Sequence, residues 1–257
     1  MNSRHSSDEI DLSKREVPQK EYVHPLVLVI FNYVEKLIAK FSIHEDVPIY
    51  ENDLFPWVPI VEKNWQKIRT ELDLVMNKRE ELPSFHEIMD EVKNITTDNN
   101  WKTFFLAGYG LASEENSKRC PETTKILNKI PGMKTAFFSI LSPKKHIPQH
   151  RGPYNGVLRL HLGLIVPEPR EQCRIRIGDD VVSWEEGKCL IFDDTFNHEV
   201  WNDTNSYRVV LFVDFIRPLK FPFNILNSIL IKYFANASFI KEAEKKHKQW
   251  EKEFYKV

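Results

Sequence analysis

The chain has 257 residues, of which 42% are hydrophobic, 28% are charged and 12% are aromatic. This length and composition are those of a folded soluble protein with one sizeable domain, or one domain with helical additions. The net charge of -1 excludes a whole-chain basic field, so no nucleic-acid partner is expected. The three cysteines are odd in number and lack paired metal spacing, which favours a reducing compartment over a disulfide framework.

The chain begins with a polar and charged segment over residues 1–23, and this composition predicts a disordered tail. The tail has no apolar run of the kind that a secretory signal contains. The longest apolar run after it, Leu26–Phe31, is far shorter than the roughly 20 residues of a spanning helix. We therefore expect a cytoplasmic protein, with association to the cytoplasmic face of the inner membrane left open.

Residues 24–131 are predicted to be a helical N-terminal part of a single domain that extends to residue 218. Ser84 is a plausible helix cap, and residues 101–106 read as a short strand. Helices are predicted from apolar spacing and from end signals at 25–41, 61–78, 83–95 and 120–130.

From residue 132 the pattern changes to short strand-like runs separated by turn residues, with a hairpin signal at Gly178-Asp179-Asp180. The runs lie at 135–141, 157–166, 173–177, 188–192 and 207–216. This rhythm is typical of a jelly roll. The predicted fold class is therefore α+β, with a cupin-like double-stranded β-helix core over 132–218. Helices flank the core on the N-terminal side, and a C-terminal helical extension covers 219–257.

Two strand-like runs each place an arginine on an otherwise apolar face. Alternation at 157–166 puts Arg159 and His161 on one face and four leucines on the other, and the leucine face predicts a sheet–sheet core. Because a buried charge is costly unless paired, Arg159 needs a protein carboxylate or an anionic ligand. The run at 207–216 repeats the pattern with Arg208. Two inward arginines suggest a site for a small dianion.

Two histidines lie near these strands in sequence. His150 precedes the strand of Arg159, and His198 follows the run at 188–192, so we place both in loops at the rim of the jelly roll. Imidazole is a suitable ligand for Fe(II). A rim histidine, a second histidine about fifty residues later and an inward arginine about ten residues after that form the layout of 2-oxoglutarate oxygenases.

Three segments carry a family resemblance: HRGPYNGVLRLHLGL (150–164), SWEEGKCLIFDDTFNHEVWN (183–202) and YRVVLFVDFIRP (207–218). The stretch from Ser139 to Pro218 resembles the aspartyl/asparaginyl β-hydroxylase family of non-haem Fe(II)- and 2-oxoglutarate-dependent dioxygenases. The resemblance is weaker upstream, through WKTFFLAGYG (101–110) and CPETTKILNKIPG (120–132). The segment YENDLFPWVPIVEKNW (50–65) is most similar to the lipid A hydroxylase-like bacterial branch.

The resemblance implies a set of site residues and cofactors. His150 and His198 would bind iron, and Asp194 would help to hold a water on it. The cofactors would be Fe(II), 2-oxoglutarate and O2, with ascorbate as a stimulant. The 2-oxoglutarate contacts would be Ser139, Arg159, His161 and Arg208.

One position departs from the common 2-His-1-carboxylate triad. Its acid would stand two residues after the first histidine, where this chain has Gly152. The family also lacks that acid, so Gly152 agrees with the resemblance. It also leaves a position physically open to halide, which keeps a halogenase as a minor alternative. A jelly-roll binding protein without catalysis is a second minor alternative.

The implied reaction is hydroxylation of an unactivated C–H bond, and two substrate classes remain open. Family members act on acyl chains of lipid A or aminolipids, or on Asp or Asn side chains of peptides. We favour the lipid, because the apolar stretches at 25–41 and 221–234 and the basic tail at 232–257 could lie on an anionic membrane surface. The alternative is that these helices only cover the jelly roll. β-Hydroxylation of peptide Asp or Asn is the second candidate.

Overall fold

The structure is a computed structural model that describes residues 25–108 and 111–255. The predicted tail at 1–23 lies outside the described residues. The described helices are α1 (Pro25–Lys40), α2 (Val58–Lys63), α3 (Trp65–Met76), α4 (Phe85–Ile88), α5 (Glu114–Arg119), α6 (Pro121–Leu127), α7 (Phe223–Ala235) and α8 (Ser238–Tyr255). Among them, none combines the length and the apolar character that crossing a bilayer requires.

The strands form two antiparallel sheets. They are β1 (Ile49–Tyr50), β2 (Trp101–Gly108), β3 (Leu111–Ala112), β4 (Met133–Leu141), β5 (Lys145–His150), β6 (Val157–Ile165), β7 (Cys173–Ile177), β8 (Asp180–Ser183), β9 (Cys189–Phe192), β10 (His198–Asn202) and β11 (Arg208–Ile216). The larger sheet has the order β1-β9-β6-β11-β4-β2-β3, and the smaller sheet has the order β5-β10-β7-β8.

Strands β4 to β11 form the double-stranded β-helix. Apart from β7 and β8, which share the smaller sheet, successive strands pass between the two sheets. The first strand, β4, therefore lies beside the last, β11, and the second, β5, lies beside the seventh, β10. This nesting of early strands against late ones is the topology of a jelly roll. The predicted α+β fold class is confirmed. All five predicted strand runs form strands, with ends within two residues of the predicted ones.

The sequence prediction of loops around His150 and His198 is wrong. His150 is the last residue of β5 and His198 is the first residue of β10. The physical reason is that β5 (KHIPQH) and β10 (HEVWN) carry polar residues and a proline, so they lack the apolar runs that mark a strand. Pairing between the two strands compensates for this weak local signal.

Two predicted helices of the N-terminal part are interrupted. The helix expected at 61–78 divides at Asn64 into α2 and α3. The helix expected at 83–95 divides into the short α4, which ends at Ile88, and a separate 3-10 helix at Asp90–Asn94, because the backbone is extended at Met89. The predicted cap at Ser84 is present, since the Ser84 amide donates to the Glu87 carboxylate at 2.7 Å. Strands β2 and β3 extend the larger sheet, so residues 24–131 are not purely helical.

The leucine face of β6 does not form the sheet–sheet core that the alternation predicted. Leu160 and Leu162 pack in the same buried cluster as Ile68 and Leu72 of α3, so this face lies under the N-terminal helices. The helices cover the outer side of the larger sheet, which therefore has two buried faces. The opposite face, with Arg159, is turned towards the smaller sheet.

Helices α1 and α7 share a smaller core of their own. Ile38 of α1 and Ile231 of α7 pack with Tyr154 and Val157, which lie between His150 and the body of β6. The loop that joins β5 to β6 is therefore enclosed by the two helices. This arrangement connects the terminal helices to the chain segment directly after His150.

Candidate iron and 2-oxoglutarate site

His150 and His198 face each other across β5 and β10. They are direct partners in the strand register, and their ring centroids are 4.1 Å apart. Nδ1 of His150 lies 2.8 Å from the Pro148 carbonyl, and Nδ1 of His198 lies 2.9 Å from the Phe196 carbonyl. These carbonyls accept a hydrogen bond from Nδ1–H, so each Nε2 keeps its lone pair. A backbone carbonyl on the second nitrogen is the usual arrangement of a metal-binding histidine.

The two imidazoles are held in the neutral form. Burial lowers the pKa of His150 to about 4 and lowers the pKa of His198 well below its usual range. Neutral imidazole is the form that binds a metal ion, because a protonated ring has no lone pair to offer.

The carboxylate of Asp194 fills the space beside Gly152. A Cβ atom built on Gly152 would overlap the Asp194 carboxylate. The amide of Gly152 donates to the Asp194 carbonyl at 2.7 Å, which fixes the two chain segments together. Burial raises the pKa of Asp194 to about 7, although nearby Arg159 opposes this effect. An acid from the connection between β9 and β10 therefore stands where the triad acid would project.

Arg159 is bound by two protein carboxylates. Its Nη2 lies 2.8 Å from Oδ2 of Asp194, and its Nε donates to Oδ1 of Asp214 at 2.9 Å. The guanidinium also lies over the Phe212 ring, 4.1 Å from the centroid. The sequence left either a protein carboxylate or an anionic ligand as the partner of Arg159, and the structure shows protein carboxylates. A 2-oxoglutarate contact from Arg159 stays a prediction, and it would have to be shared with these acids.

Arg208 is buried without a carboxylate partner among the described residues. Its Nη1 lies 3.5 Å from Oγ of Ser139, its guanidinium lies 4.6 Å from the Trp184 ring centroid, and its Nε has no hydrogen-bond partner. Only 1% of Arg208 is exposed, and burial lowers its pKa to about 10. Oγ of Ser139 also accepts from the Trp101 indole at 3.0 Å. A buried cation with an unused donor is a site for an anionic ligand.

His161 lies in an aromatic pocket next to Arg208. Its ring is surrounded by Trp184, Phe192 and Phe212, with centroid distances of 6.0, 5.1 and 5.2 Å. Neither ring nitrogen has a hydrogen-bond partner within the described part of the chain. Burial lowers the pKa of His161 well below its usual range. These unused nitrogens fit the predicted contact with a ligand.

The residues present fit Fe(II) and a dicarboxylate. Within residues 25–108 and 111–255, no group of three His, Cys, Asp or Glu side chains forms a protein-only metal cage. Two neutral imidazoles with free Nε2 atoms leave coordination positions for other ligands, as an oxygenase requires. Unused donors on His161 and Arg208 suit the cosubstrate.

Two contributors to the site were missed from the sequence. Asp214 shares a strand face with Arg208, so alternation indicated its direction but not its pairing with Arg159. Trp184 follows β8 in a turn, where no local pattern predicts that it meets Arg208.

Residues 62–218 match the family model for aspartyl/asparaginyl beta-hydroxylase. The chain belongs to this family. It is 52% identical over 223 residues to an ornithine lipid ester-linked acyl 2-hydroxylase of Rhizobium tropici, covering 87% of this chain and 79% of that protein. It is 39% identical over 166 residues to the human aspartyl/asparaginyl beta-hydroxylase, covering 63% of this chain but only 21% of that protein. The predicted resemblance, including its bacterial lipid-modifying branch, is confirmed.

Solved structures of two hydroxylases are also similar. A prolyl-4-hydroxylase of Pseudomonas putida has a TM-score of 0.42 and 15% identity, covering 62% of this chain and 98% of that chain. The viral collagen prolyl hydroxylase of Paramecium bursaria Chlorella virus-1 has a TM-score of 0.36 and 12% identity, covering 59% and 91%. Membership of the hydroxylase family confirms the predicted enzyme class, a non-haem iron dioxygenase.

Proposed function

We propose that this enzyme uses Fe(II), 2-oxoglutarate and O2 to hydroxylate an acyl chain of a lipid of the aminolipid or lipid A type. The observation that carries the substrate class is the 52% identity to an acyl 2-hydroxylase of an ornithine lipid, which extends over 87% of this chain. The unpaired guanidinium of Arg208 and the facing imidazoles of His150 and His198 support the cofactor requirement.

Each site residue has a defined task in this proposal. His150 and His198 hold the iron through Nε2, and Arg208 with Ser139 binds the far carboxylate of 2-oxoglutarate. Asp194 would hold a water beside the metal. Its carboxylate occupies the space that a side chain at residue 152 would need. When bound, iron and 2-oxoglutarate would supply the oxidation by O2 that converts C–H into C–OH, with one oxygen atom of O2 entering the hydroxyl group and the other entering succinate, and with CO2 released. The surrounding aromatic side chains exclude bulk water from the reaction.

The position of Asp194 favours hydroxylation over halogenation. A halide would have to bind next to Gly152, and the Asp194 carboxylate already lies there. When that carboxylate is ionised, two anions at close range repel each other in a buried site. Ascorbate would act as a general stimulant of turnover and needs no binding site of its own.

Hydroxylation of Asp or Asn in a peptide is the second candidate. It is supported by the 39% identity to the human aspartyl/asparaginyl beta-hydroxylase over 166 residues. The proposed location is the cytoplasm, with the enzyme in contact with the cytoplasmic face of the inner membrane, where lipid substrates are found.

The deciding experiment is mass spectrometry of products formed with Fe(II), 2-oxoglutarate and ascorbate. Ornithine lipid, lipid A and an Asp/Asn peptide are supplied in parallel, with His198→Ala as the inactive control. An added oxygen on a fatty acyl fragment, with succinate formed in equal amount, is the expected result. An added oxygen on the peptide alone would replace the lipid with the second candidate, and a chlorinated product in the presence of chloride would support the halogenase.

A further inference from the structure

Helices α1 and α7 expose large apolar side chains that no described residue covers. On α7, Ile225, Ile229 and Tyr233 recur every four residues and therefore lie on one helix face, with exposures of 52%, 58% and 76%. On α1, Val29 and Tyr33 have the same spacing and are exposed as well. Contiguous exposed apolar surface of this kind marks a protein or membrane contact.

Basic residues surround these apolar faces. Residues 25–43 and 218–236 contain a single acid, Glu35, and its side chain is buried against Arg151. Four exposed lysines belong to the same segments, namely Lys36, Lys40, Lys220 and Lys232. An apolar helix face with lysines and without exposed acids is complementary to an anionic lipid surface.

The two helices are joined to each other where α1 ends and α7 begins. The rings of Phe41 and Phe223 stack with centroids 3.8 Å apart, and Ser42 pairs with Leu219 in an isolated β-bridge. The exposed faces therefore belong to one connected unit of the fold.

This unit is bonded to the chain segment that follows His150. Arg151 donates to the Glu35 carboxylate of α1 at 2.6 Å. Tyr154 donates to the side chain of Asn227 on α7 at 2.9 Å, and the Asn227 amide donates to the Gly156 carbonyl at 2.8 Å. The α1 contact is thus one residue away from an expected iron ligand, and the α7 contacts are four and six residues away in sequence.

A cavity of about 540 Å³ opens beside the α7 face and is distinct from the iron site. Ile225, Ile229 and Lys232 line it together with Phe215 of β11. Phe215 lies on the outer face of the larger sheet, while its neighbour Asp214 binds Arg159 on the inner face. The cavity could take an apolar tail from the bilayer, with Lys232 at the level of the headgroups.

We infer that α1 and α7 form a docking face for an anionic lipid bilayer, and that this face holds the segment after His150 at the membrane surface. The inference rests on the proposed function, hydroxylation of a lipid acyl chain. It explains how the site reaches an acyl chain that stays in the membrane. The apolar side chains enter the acyl boundary and the lysines contact the phosphates.

Vesicle co-sedimentation of the full chain tests the docking face. Vesicles of phosphatidylglycerol and phosphatidylethanolamine are compared with vesicles of phosphatidylcholine alone. We expect the unchanged chain to bind the anionic vesicles. Two double variants, Ile225→Asp/Ile229→Asp and Lys220→Glu/Lys232→Glu, should each bind at least about tenfold more weakly. The matched controls are Leu74→Asp, at an exposed leucine of α3, and Lys129→Glu, which should bind as the unchanged chain does.

The measurement needs neither iron nor turnover, so its outcome is independent of the substrate assignment. The docking face would be overturned if the Ile225→Asp/Ile229→Asp variant bound anionic vesicles as tightly as the unchanged chain. It would also be overturned if the unchanged chain bound both kinds of vesicle equally. Light scattering of the same samples gives the oligomeric state. A dimer that these substitutions dissociate would assign the surface to a second copy of the chain and would also overturn the inference. Circular dichroism confirms that each variant is folded.

Discussion

His150 and His198 are opposed residues of neighbouring strands, with ring centroids 4.1 Å apart. The register shifts between His198 and Val200, which is a local irregularity of the kind that re-aims a side chain. The two imidazoles are thus placed by main-chain pairing, and each is oriented by the carbonyl two residues before it. We therefore expect metal binding in this site to depend on strand pairing as well as on ligand identity.

Replacing His198 with alanine should abolish metal binding, since one imidazole alone cannot hold the ion between β5 and β10. Titration with Co(II), followed by its visible absorption, measures the loss without any need for turnover. His146→Ala is the matched control, because His146 also lies on β5 but is exposed and stacked on Trp201. If His198→Ala bound Co(II) with wild-type affinity, His198 would not be a metal ligand.

Two buried arginines should respond oppositely to replacement by methionine. Arg208 has no carboxylate partner among the described residues, so Arg208→Met should raise the free energy of unfolding of the cofactor-free protein by about 1–2 kcal/mol. Arg217 is bound to Asp193 and to the Asn155 carbonyl, so Arg217→Met should lower it by about 3–5 kcal/mol. Urea denaturation of both variants measures the difference.

The ligand response separates the role of Arg208 from its effect on stability. In the wild-type protein, 2-oxoglutarate at a hundredfold excess over its Kd should stabilise the fold by about 2.7 kcal/mol. In Arg208→Met this stabilisation should vanish at the same concentration, because the charged anchor of the carboxylate is lost. An undiminished shift in thermal midpoint would mean that the diacid binds elsewhere.

The sequence predicted the parts of the site that alternate along strong strands. Arg159, His161 and Arg208 were placed on inward faces because β6 and β11 have clear apolar alternation. The pairing of Arg159 with two aspartates was not predictable, since Asp194 lies in the connection between β9 and β10 and Asp214 lies on β11. Long-range partners are fixed by topology, which local periodicity does not contain.

The fold shows the same division between strong and weak local signals. All five apolar runs form strands, whereas the sequence predicts loops at β5 and β10 because their polar sequences form strands only through tertiary pairing. The helix expected at 83–95 is short for a similar reason, since Ser84 pairs with Lys102 of β2 and draws this segment to the sheet.

Gly152→Ala should weaken metal binding by displacing Asp194. The added Cβ would overlap the Asp194 carboxylate, which is buried and cannot move into solvent. We expect a Co(II) affinity at least about tenfold lower. Gly178→Ala is the control, because its Cβ would have only ordinary contacts, and its positive φ of 60° should cost about 1 kcal/mol of stability alone. Unchanged Co(II) affinity in Gly152→Ala would show that this space is not part of the metal site.

Asp194→Asn and Asp214→Asn should separate metal chemistry from the pairing of Arg159. Each variant replaces a carboxyl group that contacts the Arg159 guanidinium with a neutral amide. Only Asp194 lies beside Gly152, so Asp194→Asn should lower Co(II) affinity about 10–100-fold, and Asp214→Asn should leave it within about threefold. Equal losses in the two variants would instead assign the effect to the position of Arg159.

Arg151→Ala should weaken metal binding, because it breaks the contact between α1 and the residue after His150. Removing the guanidinium takes away the cation that lies 2.6 Å from the Glu35 carboxylate, whose side chain is only 1% exposed. We expect a loss of about 1–3 kcal/mol in the free energy of unfolding and a weaker Co(II) affinity, because residue 151 follows His150 directly. Arg174→Ala breaks a more exposed pair with Asp203 and should cost less than about 1 kcal/mol, with Co(II) binding intact. Stability that falls in Arg151→Ala while Co(II) affinity stays at the wild-type value would mean that α1 supports the fold without positioning His150.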